Sequence, residues 1–273
     1  MDELLKTLIL GLVQGITEFL PVSSTGHLIV TSTLLNFQNS LGGTFEIFIQ
    51  LGSVLAVIIF YRADLLRQAR LIGTDKNVQR LWLGIIIAAI PAAVMGFLLR
   101  DFIKTVLFSP AIVGVTLIIG GIIFLFLERE PAPENTPAPL ADLSNITLRQ
   151  ALGVGIAQVF ALIPGVSRSG ASIVGGLLSG MNRPTATAFA FYLAIPVLGG
   201  ATLLDLLLSL DEITGSDQII LLLVGLVVTM IVSLFAIGWL LRYVSRNSFR
   251  VFGYYRIVAG IVILALVAAG ILS

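Results

Sequence analysis

Two short stretches concentrate the reactive side chains of an otherwise apolar chain. They are QGITEFLPVSSTGH, residues 14–27, and PGVSRSGAS, residues 164–172. The first holds the chain's one histidine, His27, a hydroxyl run of Ser23, Ser24 and Thr25, and an acid, Glu18. Imidazole, carboxylate and hydroxyl are the groups that activate nucleophiles and move protons. The second sets Arg168 among Ser167, Ser169 and Ser172, with Gly165 and Gly170 letting backbone approach a ligand. A guanidinium with clustered hydroxyls, backbone N–H groups and a helix N-terminus starting near Gly170 suits a phosphate. Gln14 and Glu18 stand one helical turn apart and share a face, so both can point at one site. Glu46 and Gln50 repeat that spacing further on, which suggests a second polar wall.

Each residue also has a plainer reading. Arg168 could be an interhelical ion pair or a snorkelling side chain. His27 could be a buried ring bonded to a backbone carbonyl. Ser172 and Thr44 could simply bond their own helix backbone. The pairing of two hydroxyl-rich tips is what weighs against these.

The elements that must hold the tips are membrane helices. Of the 273 residues 57% are hydrophobic and 11% charged, against about a quarter charged in a soluble domain. Six runs approach the roughly 20 residues needed to span a bilayer: 45–61, 81–99, 111–127, 186–205, 219–241 and 257–272. Two more, 4–36 and 148–182, are apolar but broken by PVSSTG and PGVSRSG. Proline and glycine end helices there, so each reads as two short arms meeting at a polar tip. Broken backbone survives at membrane depth where protein or a water-filled cavity surrounds it. Between them EREPAPENTPAPLADLSN, 128–145, reads as an extended linker.

The broken segments also match each other. Residues 11–30 against 155–174, a shift of 144, give seven identities in twenty, including Gln14/Gln158, Ser23/Ser167 and Gly26/Gly170. Loop charges orient the copies. Residues 62–80 carry five basic side chains, whereas 206–218 carry Asp211, Glu212 and Asp217 and none that is basic. The next pair reverses, with four arginines in 242–256, although Arg100 and Lys104 fall on the other side. Basic loops stay inside, so the halves are expected in opposite orientations. The expected fold is therefore an all-α polytopic membrane protein with an inverted-topology repeat, six transmembrane helices plus two re-entrant helical hairpins. Its parts are a first repeat 1–128, an inner linker 129–147 and a second repeat 148–273. Both termini lie outside and the tips meet near the midplane.

Other classes recede. Lysine and arginine fall in short clusters between apolar runs, so no nucleic acid is expected as a partner. No cysteine is present, which excludes disulfides and thiolate metal sites. The N-terminus does not read as a cleavable signal, because Glu18 interrupts the apolar run. A metal here would need oxygen ligands, which suits Mg²⁺ or Ca²⁺. Charge in hydrocarbon is costly, so Glu18, His27, Glu46, Arg168 and Arg256 are functional candidates by default.

QGITEFLPVSSTGH and PGVSRSGAS resemble the two signature motifs of the undecaprenyl-diphosphate phosphatase (bacitracin-resistance) family. TFEIFIQLGSVLAV, 44–57, and YRIVAG, 255–260, resemble it too, and the likeness runs over essentially the whole chain. The resemblance implies a bacterial inner-membrane phosphatase acting on a polyprenyl diphosphate. It would regenerate the lipid monophosphate carrier for cell-wall synthesis, with a divalent cation assisting and a site open to the periplasmic side. Carried over by motif, the catalytic residues fall on Glu18, Ser24, His27 and Arg168, and the acid-pair motif on Gln14 and Glu18. A threonine usual at the end of the second motif is here Ser172. Ser23, Thr25, Gly26, Ser167, Ser169, Gly170 and Ser172 are expected to bind substrate, and Gln14 with Glu18 to hold the ion. Attack by Ser24, by His27 or by water stays open at this level, as does a homodimer. The competing class is a transporter or flippase of an anionic lipid or phosphate-bearing substrate, since broken helices in inverted repeats also build transporters.

Overall fold

A computed structural model describes residues 2–37, 44–128, 141–208 and 216–272; most of the expected linker, with Asp211 and Glu212, lies outside them. Among the described residues all regular structure is helical. The first hairpin is α1 (Glu3–Thr17) and α2 (Ser24–Leu34). α3 (Thr44–Phe60) turns at Tyr61 into α4 (Arg62–Leu71), and α5 (Lys76–Leu98) follows. The one-turn α6 (Arg100–Phe102) leads through a π-turn to α7 (Pro110–Leu127). The second hairpin is α8 (Leu148–Val159) and α9 (Arg168–Leu178). α10 (Arg183–Leu208), α11 (Ser216–Val244) and α12 (Arg250–Ala268) complete the chain.

Five helices, α5, α7, α10, α11 and α12, are each long and apolar enough to cross a membrane, and α3 becomes a sixth when joined to α4. The α3–α4 pair is bent by 68°, so the basic stretch expected as a loop at 62–80 begins with a helix. Gln68 of α4 is buried, donating to the Tyr192 hydroxyl and accepting from Trp82 Nε1 (3.1 and 3.0 Å). Outward faces stay apolar: Phe97 and Phe235 are 81% and 74% exposed. A soluble protein rarely leaves so much apolar surface uncovered, and a lipid phase covers it without cost.

The breaks follow the sequence closely. Helix ends at 24–34 and 168–178 are offset by the same 144 residues. At both starts a serine caps the helix from a left-handed backbone, Ser23 at φ 70° and Ser167 at φ 74°. Their hydroxyls accept from the Gly26 and Gly170 N–H groups, three residues on (3.5 and 3.1 Å). The halves are interlocked rather than side by side. α1 packs on α11 and α8 on α5, so each hairpin's first arm lies against a long helix of the other half, and α7 packs along α12. Arg100, the exception in the loop charges, pairs with Asp205 at 3.6 Å, so its charge is partly neutralised where it sits. The end of the linker is pinned by the Asp142 N–H donating to Thr185 (3.1 Å) and by a Thr147–Gln150 capping box.

Candidate active site

Glu18 is the centre of the site. It ends α1, is 6% exposed, and both its oxygens are engaged. Oε2 accepts from Gln14 Nε2 at 2.7 Å and from Ser24 Oγ at 2.6 Å. Oε1 accepts from Arg168 Nη2, also at 2.7 Å, across 150 residues of chain. The helical spacing of Gln14 and Glu18 thus puts both on one face, and the two tips meet through a charge-assisted contact. Arg168 Nη1 is buried and has no protein partner, leaving N–H groups for an anion.

Ser24 and Arg168 are the first residues of α2 and α9. They occupy the same place in the two copies, each following a capping serine with positive φ. One turn geometry therefore presents a hydroxyl from one tip and a guanidinium from the other toward a shared space. Helix N-termini add partial positive charge there. The space is a cavity of about 120 Å³, lined by Glu18, Ser23, Ser24 and Thr25, by Gly165, Ser167 and Arg168, and by Gln50 of α3. Pockets for drug-sized ligands run to roughly 300–1,000 Å³. This one has room only for a small, polar group. A larger cavity of about 630 Å³ among Tyr61, Arg67, Asp142 and Arg242 contains none of the tip residues.

The remaining expected residues divide. Ser23, Thr25 and Ser167 line the cavity; Gly26, Ser169, Gly170 and Ser172 are not part of its lining. Ser169 Oγ donates to the Leu20 carbonyl at 3.0 Å and so ties the tips together. Ser172 Oγ donates to Gln158 Oε1 at 3.0 Å, between α9 and α8. Gly165 needs its lack of side chain: it sits at φ 89°, and a Cβ would come 2.7 Å from the Val113 carbonyl oxygen. Glu46 lies one turn before Gln50 on α3.

His27 differs from expectation. Its ring is not part of the cavity lining, and Glu18 does not orient it, because the carboxylate is taken up by Gln14, Ser24 and Arg168. His27 Nδ1 lies 2.8 Å from the Ser23 carbonyl and Nε2 is bonded to the Tyr255 hydroxyl of α12. A carbonyl can only accept, so Nδ1 carries the proton and Tyr255 donates to Nε2. The ring also stacks on Tyr255, centroids 5.5 Å apart. Nothing in the sequence spacing signals a partner so far along the chain.

The expected ion site is incomplete. Among the described residues no three His, Asp or Glu side chains cluster to hold a metal. Gln14 turns its N–H toward Glu18, leaving its buried Oε1 without a hydrogen bond. One carboxylate already carrying three donors does not fit a resident cation.

Residues 7–262 match the family model described as bacitracin resistance protein BacA. A protein of Deinococcus radiodurans named undecaprenyl-diphosphatase is 49% identical over 98% of this chain and 97% of its own length. Proteins of the same name from Albidiferax ferrireducens and Methylobacillus flagellatus are 46% and 47% identical, over 98% and 96% of this chain and 96% and 97% of theirs. A multi-pass bacterial membrane protein with two tips joined by a carboxylate–guanidinium contact, the chain belongs to the bacitracin resistance protein BacA family.

Proposed function

We propose that the chain is a membrane phosphatase that removes the terminal phosphate of undecaprenyl diphosphate and returns the monophosphate carrier to cell-wall synthesis. The observation that carries this reading is the Glu18 carboxylate, bonded at once to Ser24 Oγ and Arg168 Nη2. A carboxylate on a serine hydroxyl is the arrangement of a base beside its nucleophile. A guanidinium alongside suits the equatorial oxygens of a phosphoryl group in transfer. A flippase needs no such contact, which favours chemistry over transport.

Arg168 Nη1 binds the terminal phosphate. Ser24 Oγ attacks phosphorus and passes its proton to Glu18, while the bond to the bridging oxygen breaks and undecaprenyl phosphate leaves. Water then cleaves the phosphoserine, releasing inorganic phosphate and restoring Ser24. His27, outside the cavity, supports the tip through the Ser23 carbonyl. Mg²⁺ or Ca²⁺ would arrive with the diphosphate, since such ions are habitually held by substrate phosphates and water together with few protein donors. The basic loops support a placement in the inner membrane with the repeats inverted and the site reached from the outer face.

Purified protein in detergent, given a long-chain isoprenyl diphosphate and Mg²⁺ or Ca²⁺, should release phosphate. Ser24→Ala should lower that rate about 10³-fold or more, as loss of a nucleophile does. Substrate labelled in the terminal phosphate should leave an acid-stable label on Ser24 after rapid quenching. No release by wild type would sink the function; an acid-labile label on His27 would overturn the choice of nucleophile.

A further inference from the structure

Arg256 of α12 is fully buried, and none of the ion pairs among the described residues includes it. A bare guanidinium in such a place is costly unless its N–H groups are taken up. Backbone takes up those of Nη1 and Nη2, while Nε, also buried, has no hydrogen bond. Nη1 donates to the Pro21 carbonyl at 3.0 Å. Nη2 faces the carbonyls of Gly165 (3.2 Å), Val166 (3.0 Å) and Thr116 (3.3 Å). Pro21 belongs to the first tip, Gly165 and Val166 to the second, and Thr116 to α7.

One side chain therefore joins the backbones of both broken tips and the helix behind them. Three of these carbonyls, those of Pro21, Gly165 and Val166, belong to the breaks, where the helix cannot satisfy them internally. The neighbouring residue, Tyr255, holds His27, so consecutive residues of α12 brace the first tip at two points. Space for the guanidinium comes from Gly120 of α7, where a Cβ would lie 2.8 Å from Arg256 Cζ.

We infer that Arg256 is a positioning residue that fixes the first tip, bearing Ser24, against the second, bearing Arg168, at the separation phosphoryl transfer needs. It touches neither the cavity nor the Glu18 contact, and acts through the carbonyls it clamps. A planar fork can reach several carbonyls at fixed angles; a lysine ammonium keeps the charge but not the fork. The inference rests on the phosphatase reading for its kinetic consequence, not for the clamp itself.

The test uses the full chain in detergent and two variants that leave the cavity lining untouched. Arg256→Lys should lower kcat by about 10- to 100-fold, the range expected for losing hydrogen bonds to a charged group, with KM nearly unchanged. Gly120→Ala, which crowds the guanidinium while keeping it, should lower kcat in the same direction and by less. Hydrogen exchange should quicken in peptides covering both tips, 18–24 and 162–168, in Arg256→Lys, while peptides of α5 exchange as in wild type. Wild-type kinetics in Arg256→Lys, or exchange quickened everywhere alike, would overturn the clamp. Wild type inactive on the diphosphate would sink the phosphatase reading instead, and the exchange result would still decide the clamp.

Discussion

Three donors converge on Glu18, and the one side chain kept from it is the histidine that sequence spacing sets nine residues away. Ser24 comes six residues after Glu18 and bonds it; His27, three further on, is carried by α2 to the other side of the tip. This assigns His27 a role that can be separated by nitrogen. Its Nδ1–H supports the carbonyl of Ser23, the strained residue that caps α2. Asparagine can place an amide N–H near the Nδ1 position, and glutamine near Nε2. His27→Asn should therefore keep more phosphatase activity than His27→Gln, by about 2- to 10-fold, the worth of one ordinary hydrogen bond. Equal loss in both, or a better His27→Gln, would place the function of the ring at Nε2 and Tyr255.

At the level of elements, the two hairpins show which features a single sequence makes legible. Proline, glycine and hydroxyl runs announced both breaks, and the 144-residue offset recurs in helix ends and in the two left-handed serines. Local rules govern these, so local sequence carries them. The bend at Tyr61 and the Arg256 clamp depend on distant contacts. A side chain that bonds backbone carbonyls leaves no complementary residue to recognise, and Arg256 was visible as a charge in the wrong solvent and as part of YRIVAG, with no sign of what it holds. Glu128 is similar: it reads as the start of a polar linker but is 2% exposed and bound by the Arg183 guanidinium at 2.8 and 2.9 Å from Nε. The serine caps carry a prediction of their own. A positive φ costs a residue with a Cβ roughly 1–2 kcal/mol, whereas losing an N-cap hydroxyl costs about 1 kcal/mol when alanine replaces it and a few tenths for glycine. Ser167→Ala keeps the strain and loses the cap, so it should lower stability by about 1 kcal/mol. Ser167→Gly relieves the strain and should match or exceed wild type. Denaturation of the purified protein in detergent measures both, and a glycine variant weaker than the alanine variant would mean that the turn is not strained.

At the scale of the whole molecule, interlocking explains why two diverged copies still make one site. Each hairpin's first arm rests on a long helix of the opposite half, so neither tip has its full support without the other half. The copies could then specialise. The position of Ser24 in one is Arg168 in the other, and Glu18 corresponds to Leu162, so the acid and hydroxyl stand in the first hairpin and the cation in the second. Tips entering from opposite faces would fix the side of every loop. The chain has no cysteine, so each introduced one is the sole target for a thiol reagent. In intact cells whose outer barrier is opened, a membrane-impermeant maleimide should label Asp2→Cys, at the outer terminus. Thr74→Cys and Asn247→Cys, in the two arginine-rich loops, should react only after the inner membrane is permeabilised. Labelling of Thr74→Cys and Asn247→Cys from opposite sides would break the inverted arrangement, because those loops belong to different halves and share a face only if the halves are inverted.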